Sequence, residues 1–271
     1  MSFMHYVRAF FGIVWRELLR FLQQRERFFA ALVRPLIWLI IFAAGFRAAL
    51  GISIIPPYQT YITYDVYITP GLLAMIQLFQ GMQSSLSMVY DREMGSMRVL
   101  LTTPLPRWYL LLSRLFAGVL VSLFQVYAFL LVAWFCGVEL PPWGYLAALP
   151  ALILTGMMFG SLGMLLSSTI KQLENFAGIM NFVIFPMFFA SSALYPLWKM
   201  KEGSLWLYKI CVVNPFTWAV ELIRFALYLE ANWQALGIVG GCTLLFLALS
   251  VWAYDPARGI QQRKVAVPVA G

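Results

Sequence analysis

The sequence predicts an all-α polytopic membrane protein with six transmembrane helices. Of its 271 residues, 62% are hydrophobic and only 11% are charged, whereas a soluble domain carries about 25% charged residues. A water-soluble globule of this composition would expose too much apolar surface. Six apolar segments are each long enough to cross a hydrocarbon core of about 30 Å. They lie at 30–50, 70–89, 112–136, 145–167, 176–198 and 233–254.

Residues 1–29 precede these segments and are predicted to form a cytoplasmic interfacial helix. Apolar residues recur there every three or four positions, while Arg16 and Arg20 line another face. This pattern is typical of an amphipathic helix at a membrane surface, and a helix packed on the body of the protein would show it as well. The arginines exclude a signal peptide, because they interrupt every apolar run.

The basic residues predict the topology, because Lys and Arg concentrate in cytoplasmic loops. With six spans, 13 of the 19 lie at residues 1–29, in the 90–114 loop, in the 168–175 loop and in the tail at 255–271. Both termini are therefore expected to be cytoplasmic, on either side of a single transmembrane domain at 30–254. This distribution accounts for the net charge of +8 without a nucleic-acid partner.

Residues 199–230 could be mistaken for a seventh span, but they are better interpreted as a short outer helical hairpin. A span would place Glu221 and Arg224 at bilayer depth, where charges are costly. Asn214 suits the N-cap of a helix and Pro215 its first position. About fifteen residues rising 1.5 Å each cannot cross the membrane. These four residues are the candidate functional residues of the outer hairpin.

Polar side chains in the second segment share one sector of a helix. Gln77, Gln80, Ser84 and Ser87 follow one another at intervals of three and four residues. We call these four residues the polar face, and Asn181 in the fifth segment is a related candidate. They indicate either a translocation surface or hydrogen-bonded packing between helices. Because the middle of each span lacks acidic residues, an ion-coupled carrier and an intramembrane hydrolase are disfavoured.

The coupling loop, residues 90–108, follows the second segment and has an unusual composition for a connection between spans. It combines mixed charge with a short helical pattern that stops at prolines. A rigid mixed-charge helix of this kind suits a groove on a cytoplasmic partner, although it could also lie on the bilayer surface. The candidate partner-binding residues are Asp91, Arg92, Glu93, Gly95, Arg98, Pro104 and Arg107.

Together these features resemble the six-span permease subunits of type 2 ATP-binding cassette (ABC) exporters. The resemblance rests on Pro70-Gly71 at the second segment, on Glu93-x-Gly95 followed by Leu-Leu-x-x-Pro-x-x-Arg ending at Arg107, and on Asn214-Pro215 in the outer hairpin. It implies a permease that dimerises, with a second copy or with a homologue. It also implies two copies of a cytoplasmic nucleotide-binding subunit, with the coupling loop as a coupling helix.

The source of energy is expected to lie outside this chain. No glycine is followed by lysine, so the phosphate-binding loop of an ATPase is missing. ATP and magnesium would therefore bind to the partner ATPase. For this chain we expect no catalytic residue, cofactor or metal site, since it has one histidine and three cysteines without metal-ligand spacing.

The resemblance implies a permease that moves an amphiphilic or lipid-linked substrate out of the cytoplasm. A drug, a lipid, a polysaccharide and an oligosaccharide would all fit, and the expected location is the lipid bilayer of the bacterial inner membrane. Two alternatives stay open on the sequence. One is a membrane enzyme that acts on lipid head groups through the outer hairpin, and the other is a non-transporting scaffold.

Overall fold

The computed structural model describes residues 3–23, 25–46, 56–58, 62–93, 106–170 and 172–253. Helices are the dominant regular structure in these ranges, as the sequence predicts. In chain order they are α1 (Phe3–Gln23), α2 (Arg25–Phe46), α3 (Tyr64–Glu93), α4 (Arg107–Phe135), α5 (Gly144–Thr169), α6 (Leu173–Phe189), α7 (Leu197–Gly203), α8 (Leu205–Val213), α9 (Pro215–Leu227) and α10 (Trp233–Ala253).

Three helices of the described ranges are both long and apolar enough to cross a membrane. They are α4 from Trp108 to Phe135, α5 and α10. The pair α8 and α9 would pass the same test together, but the two helices are bent by 74° at Asn214. Length and composition therefore support a helical membrane protein with three or four such spans. The predicted count of six is not confirmed.

The other predicted spans differ from simple apolar helices. The apolar part of α2 runs only from Phe28 to Phe42, and that of α6 only from Glu174 to Phe189. α3 has 30 residues, but its polar side chains lower its hydropathy. The predicted segment at 176–198 is not one helix, because α6 ends at Phe189 and α7 begins after Pro196. Proline disfavours helical backbone in the residue before it, which helps to separate the two.

α3 and α5 pack closely at the centre of the bundle, because glycines let their backbones meet. A Cβ atom on Gly81 would lie 2.8 Å from the Phe159 backbone. One on Gly163 would lie 2.7 Å from the Gly81 carbonyl oxygen. Since real Cβ atoms do not approach backbone so closely, any larger residue would push the helices apart.

α1 packs along α4 and still leaves apolar side chains exposed. The rings of Tyr6 and Tyr109 meet edge to face with their centres 5.2 Å apart, and the Tyr109 hydroxyl donates to the Tyr6 carbonyl. On another face, Phe11, Trp15 and Leu22 are exposed. The amphipathic pattern therefore serves a contact with the protein's own body and leaves a second apolar strip for another surface.

The last helix of the outer hairpin begins where the sequence predicts. α9 starts at Pro215, and Asn214 caps it, with its Oδ1 accepting a hydrogen bond of 3.0 Å from the Phe216 N–H. With 13 residues, α9 is too short to cross the bilayer by itself. Its apolar stripe is fully buried and consists of Phe216, Val220, Ile223 and Leu227.

Candidate functional site

The coupling loop falls mostly outside the described residues. Gly95, Arg98 and Pro104 belong to the stretch 94–105, which the structure does not describe. α3 continues through Asp91 and Arg92 to its last residue, Glu93, and α4 begins with Arg107. The side chains of these four residues also lie outside the described part. The helices therefore delimit the loop, and its role stays a prediction.

Within the polar face, Gln77 binds α5 with both ends of its amide. Its Nε2 donates to the Leu152 carbonyl at 2.6 Å, and its Oε1 accepts from the Thr155 hydroxyl at 2.6 Å. The side chain is buried, with 1% of its surface exposed. Gln77 thus holds α3 against α5 as a polar bridge inside the bundle.

Gln80 faces a different neighbour and borders a cavity. Its Oε1 accepts a long hydrogen bond of 3.4 Å from the Nε2 of Gln125 on α4. Both glutamines line a cavity of about 50 Å³ between α2, α3 and α4, together with Gln83 and Arg34. Spacing within single segments does not reveal Gln125 and Arg34 as neighbours of Gln80. The charge of Arg34 inside the first apolar segment was the signal that could have found it.

The remaining members of the predicted translocation surface are less enclosed. Ser84 and Ser87 are half-buried, and the Ser87 hydroxyl donates to the Ser84 carbonyl at 2.6 Å. Asn181 is exposed on α6, although Phe176 and Ile184 of the same helix are buried. The five predicted residues therefore occupy three settings: the α3–α5 contact, the cavity at Gln80, and more open positions.

At the other end of α3, tyrosine hydroxyls hold the segment 190–196, which we call the joint segment. The Tyr67 hydroxyl donates to the Ser192 carbonyl at 2.9 Å, and the Tyr64 hydroxyl donates to the Leu194 carbonyl at 2.9 Å. Gly71 makes the approach possible, since a Cβ atom there would lie 2.6 Å from the Cβ of Ala193.

Arg224 of α9 binds the same joint segment. Its Nη2 donates to the Ser192 carbonyl at 2.9 Å, and its Nη1 lies 2.5 Å from a Glu221 carboxylate oxygen. The Arg224 side chain is buried, with 4% exposed, and Glu221 is nearly so, with 15% exposed. A buried guanidinium is tolerated when it is paired and hydrogen-bonded, as here.

Aromatic rings complete the environment of this ion pair. The guanidinium carbon of Arg224 lies 4.3 Å from the centre of the Tyr67 ring. Tyr58, in the described loop 56–58, packs edge to face on Tyr228 with ring centres 4.8 Å apart. Burial raises the pKa of the Tyr58 hydroxyl, so this group stays neutral beside the charged pair.

Asn214 adds a third attachment between the outer hairpin and the end of α6. Its Nδ2 donates to the carbonyls of Met187 and Ala190, both at 2.7 Å. Three of the residues predicted for the outer hairpin therefore meet around the end of α6 and the joint segment. Spacing along the chain could not reveal Tyr64 and Tyr67 as their partners, because these lie on a distant helix.

The chemistry of this cluster is that of a structural junction. It holds one ion pair, a shared carbonyl and neutral phenols. Among the residues that the structure describes, no group of three His, Cys, Asp or Glu side chains could hold a metal ion. The arrangement can transmit movement between α3 and the outer hairpin, because both are bonded to the same short segment.

Comparisons with known proteins match most of the chain. The model of the family described as ABC-2 type transporter matches residues 8–228. A transport permease named ycf38 from Cyanophora paradoxa is 32% identical over 236 residues, which cover 84% of this chain and 77% of the relative. The ycf38 permease from Pyropia yezoensis is 26% identical over 94% of this chain and 89% of its own length.

A bacterial relative aligns over a smaller share of its own length. The Escherichia coli (strain K12) protein YbhR, described as a multidrug ABC transporter permease, is 26% identical over 77% of this chain. The aligned part is 55% of that relative, so the similarity spans about half of its length. The family match at residues 8–228 takes in most of α1, the coupling loop and all but the last two residues of the outer hairpin, and it ends before α10.

Proposed function

Because the chain belongs to the ABC-2 type transporter family, we propose that it is the membrane subunit of an exporter that moves an amphiphilic or lipid-linked substrate out of the cytoplasm. Permeases of this family are transmembrane subunits, and a partner ATPase hydrolyses the ATP. The observation that carries the proposal is the family match across residues 8–228, which includes the coupling loop and the outer hairpin.

The shape of α3 supports a mechanical coupling between the two ends of the bundle. This helix runs without interruption from Tyr64 to Glu93, which corresponds to about 45 Å at 1.5 Å per residue. Its last residues belong to the coupling loop, and its first turns hold the joint segment through Tyr64 and Tyr67. A displacement of the loop by the ATPase would therefore reach the outer hairpin through one continuous helix.

The translocation surface forms part of the same proposal. Both described hydrogen bonds of the Gln77 amide go to α5, so the main contribution of Gln77 is to keep α3 and α5 in register. Gln80, which borders the cavity, and Asn181, which is exposed, are better placed to meet a substrate. We propose that Ser84 and Ser87 extend this path along α3 toward the coupling loop.

The proposed assembly contains two permeases and two ATPase subunits, with ATP and magnesium bound to the latter. The second permease is a further copy of this chain or a homologue. The complex lies in a bacterial inner membrane with both termini in the cytoplasm, as the 13 basic residues on one side support. In this orientation the coupling loop faces the ATPase.

The coupling assignment is tested with the full chain and the ATPase that co-purifies with it. The double variant Glu93→Ala, Gly95→Pro is expected to bind less ATPase and to lose most ATP-dependent export in vesicles. Glu139→Ala, an exposed carboxylate between α4 and α5, is the matched control and should leave both unchanged. Normal ATPase binding together with normal export in the double variant would refute the assignment.

A further inference from the structure

The cavity between α2, α3 and α4 is more polar than helix packing requires. Its polar lining consists of Arg34, Gln80, Gln83 and Gln125, and its volume is about 50 Å³. One water molecule needs about 10–15 Å³ of such space. The cavity therefore has room for more than one water-sized group, beside side chains that donate and accept hydrogen bonds.

Arg34 brings a positive charge into the apolar part of α2. Its guanidinium carbon lies 4.1 Å from the centre of the Phe79 ring. This contact is attractive but leaves the charge in place, because the ring carries no net charge. None of the ion pairs between described residues involves Arg34. The Arg34 side chain is exposed, and a cation in a predicted membrane segment usually pairs with an anion or marks the path of a ligand.

Gln125 is a second and independent sign that the cavity accepts a ligand. Only 1% of this residue is exposed. Its Nε2 donates to Gln80, whereas its Oε1 is buried without a hydrogen-bond partner among the described residues. A buried amide oxygen needs a donor, so a hydroxyl group or a water molecule belongs in the cavity next to it.

The surface of α2 beside Arg34 is apolar. Phe29, Val33 and Ile37 follow one another at intervals of four residues and are exposed by 60%, 47% and 50%. A free inorganic anion would gain nothing from such a strip. An amphiphile would place its charged headgroup at Arg34 and its apolar chain along the exposed side of α2.

We propose that this cavity binds the phosphate-bearing headgroup of an anionic amphiphile. A phosphate oxygen accepts hydrogen bonds from the Arg34 guanidinium, and a headgroup hydroxyl or a headgroup-bound water donates to Gln125 Oε1. This proposal rests on the proposed function in one respect, because it identifies anionic amphiphiles as the class of compound that the permease recognises. The amphiphile is either the transported substrate or a resident lipid of the membrane.

The test measures binding without nucleotide, using the full chain in nanodiscs of phosphatidylcholine. The probe is phosphatidic acid with a spin label on its acyl chain, and electron paramagnetic resonance reports the fraction held at the protein. We expect a preference for phosphatidic acid over spin-labelled phosphatidylcholine. Arg34→Gln should reduce this preference at least fivefold, and Gln125→Leu should reduce it by a smaller factor.

Matched variants separate the site from general effects of charge and folding. Lys199→Gln removes one positive charge from an exposed position on α7 and should keep the preference. Arg34→Lys retains the charge and should also keep the preference for phosphatidic acid. Equal losses of this preference in Arg34→Lys and Arg34→Gln would therefore overturn the assignment. A normal preference in Arg34→Gln, or equal binding of the two lipids by the unmodified chain, would overturn it as well.

Adding ATP to the complex with its co-purified ATPase then distinguishes a transported substrate from a resident membrane lipid. Movement of the labelled lipid to the opposite leaflet identifies it as a substrate, and retention identifies a resident lipid, and either result supports the site. Export of another compound without any preference for phosphatidic acid would refute this site and leave the exporter intact. Specific binding without export of any compound would contradict the exporter and leave the site intact.

Discussion

Arg224 and Tyr67 donate hydrogen bonds to the same carbonyl oxygen, that of Ser192. Both bonds measure 2.9 Å, and the guanidinium carbon lies 4.3 Å from the centre of the tyrosine ring. One residue belongs to α9 and the other to α3, so the shared carbonyl joins the outer hairpin to the helix that leads to the coupling loop.

Replacing Arg224 should be severely destabilising. Arg224→Met leaves the Glu221 carboxylate in a largely buried position without its cation, and breaking a buried pair in this way costs about 3–5 kcal/mol. The free energy of unfolding, measured by titration with a denaturing detergent, should fall by that amount. Lys209→Met, an exposed position on α8, is the control and should change little.

The double variant Glu221→Gln, Arg224→Met sharpens this test. It removes both charges, so it should be more stable than Arg224→Met alone. If both variants lose equal stability, the uncompensated carboxylate is not the cause of the loss.

Tyr67→Phe should have a smaller effect than the arginine variant. The ring beneath Arg224 remains, and only the hydrogen bond to Ser192 is lost, which corresponds to about 0.5–1.5 kcal/mol. Tyr64→Phe removes the matching bond to Leu194 and should cost a similar amount. The same detergent titration applies, and a loss as large as that of Arg224→Met would show that the ring itself has moved.

Two substitutions separate the acceptor role of Asn214 from its donor role. Asn214→Ala removes the N-cap acceptor, worth about 0.5–2 kcal/mol, and also the bonds donated to Met187 and Ala190. Asn214→Asp keeps the acceptor but places a carboxylate against two carbonyl oxygens. Thermal melting in detergent should rank both below the unmodified chain, and an unchanged Asp variant would exclude the donor role.

Gly81→Ala should weaken the contact between α3 and α5. The new Cβ atom would lie 2.8 Å from the Phe159 backbone, and overpacking of this kind costs about 1–3 kcal/mol. Gly237→Ala on α10 is the matched control, since nothing lies within 4 Å of the added atom. There alanine should be neutral or stabilising by about 0.5–1 kcal/mol, because it reduces the flexibility of the unfolded chain. Equal melting temperatures for the two variants would contradict the close packing.

The sequence by itself determined the features that depend on composition and on neighbours along the chain. Its apolar content predicted a helical membrane protein, and its spacing predicted the amphipathic α1. Asn214 followed by Pro215 predicted the start of α9, because an N-cap involves only adjacent residues. Such local preferences act in any fold, so they can be recognised without knowledge of the tertiary structure.

Only the tertiary structure decided what the polar side chains bind. Gln77 and Gln80 share a helical sector, yet one bridges to α5 and the other meets Gln125 beside a cavity. The break between α6 and α7 likewise coincides with bonds from Tyr67 and Arg224 to the joint segment. Periodicity specifies the direction in which a side chain leaves its helix, but which neighbouring helix it contacts depends on how the bundle packs. An amide or a guanidinium finds its partner, and with it its role, only in that packed state.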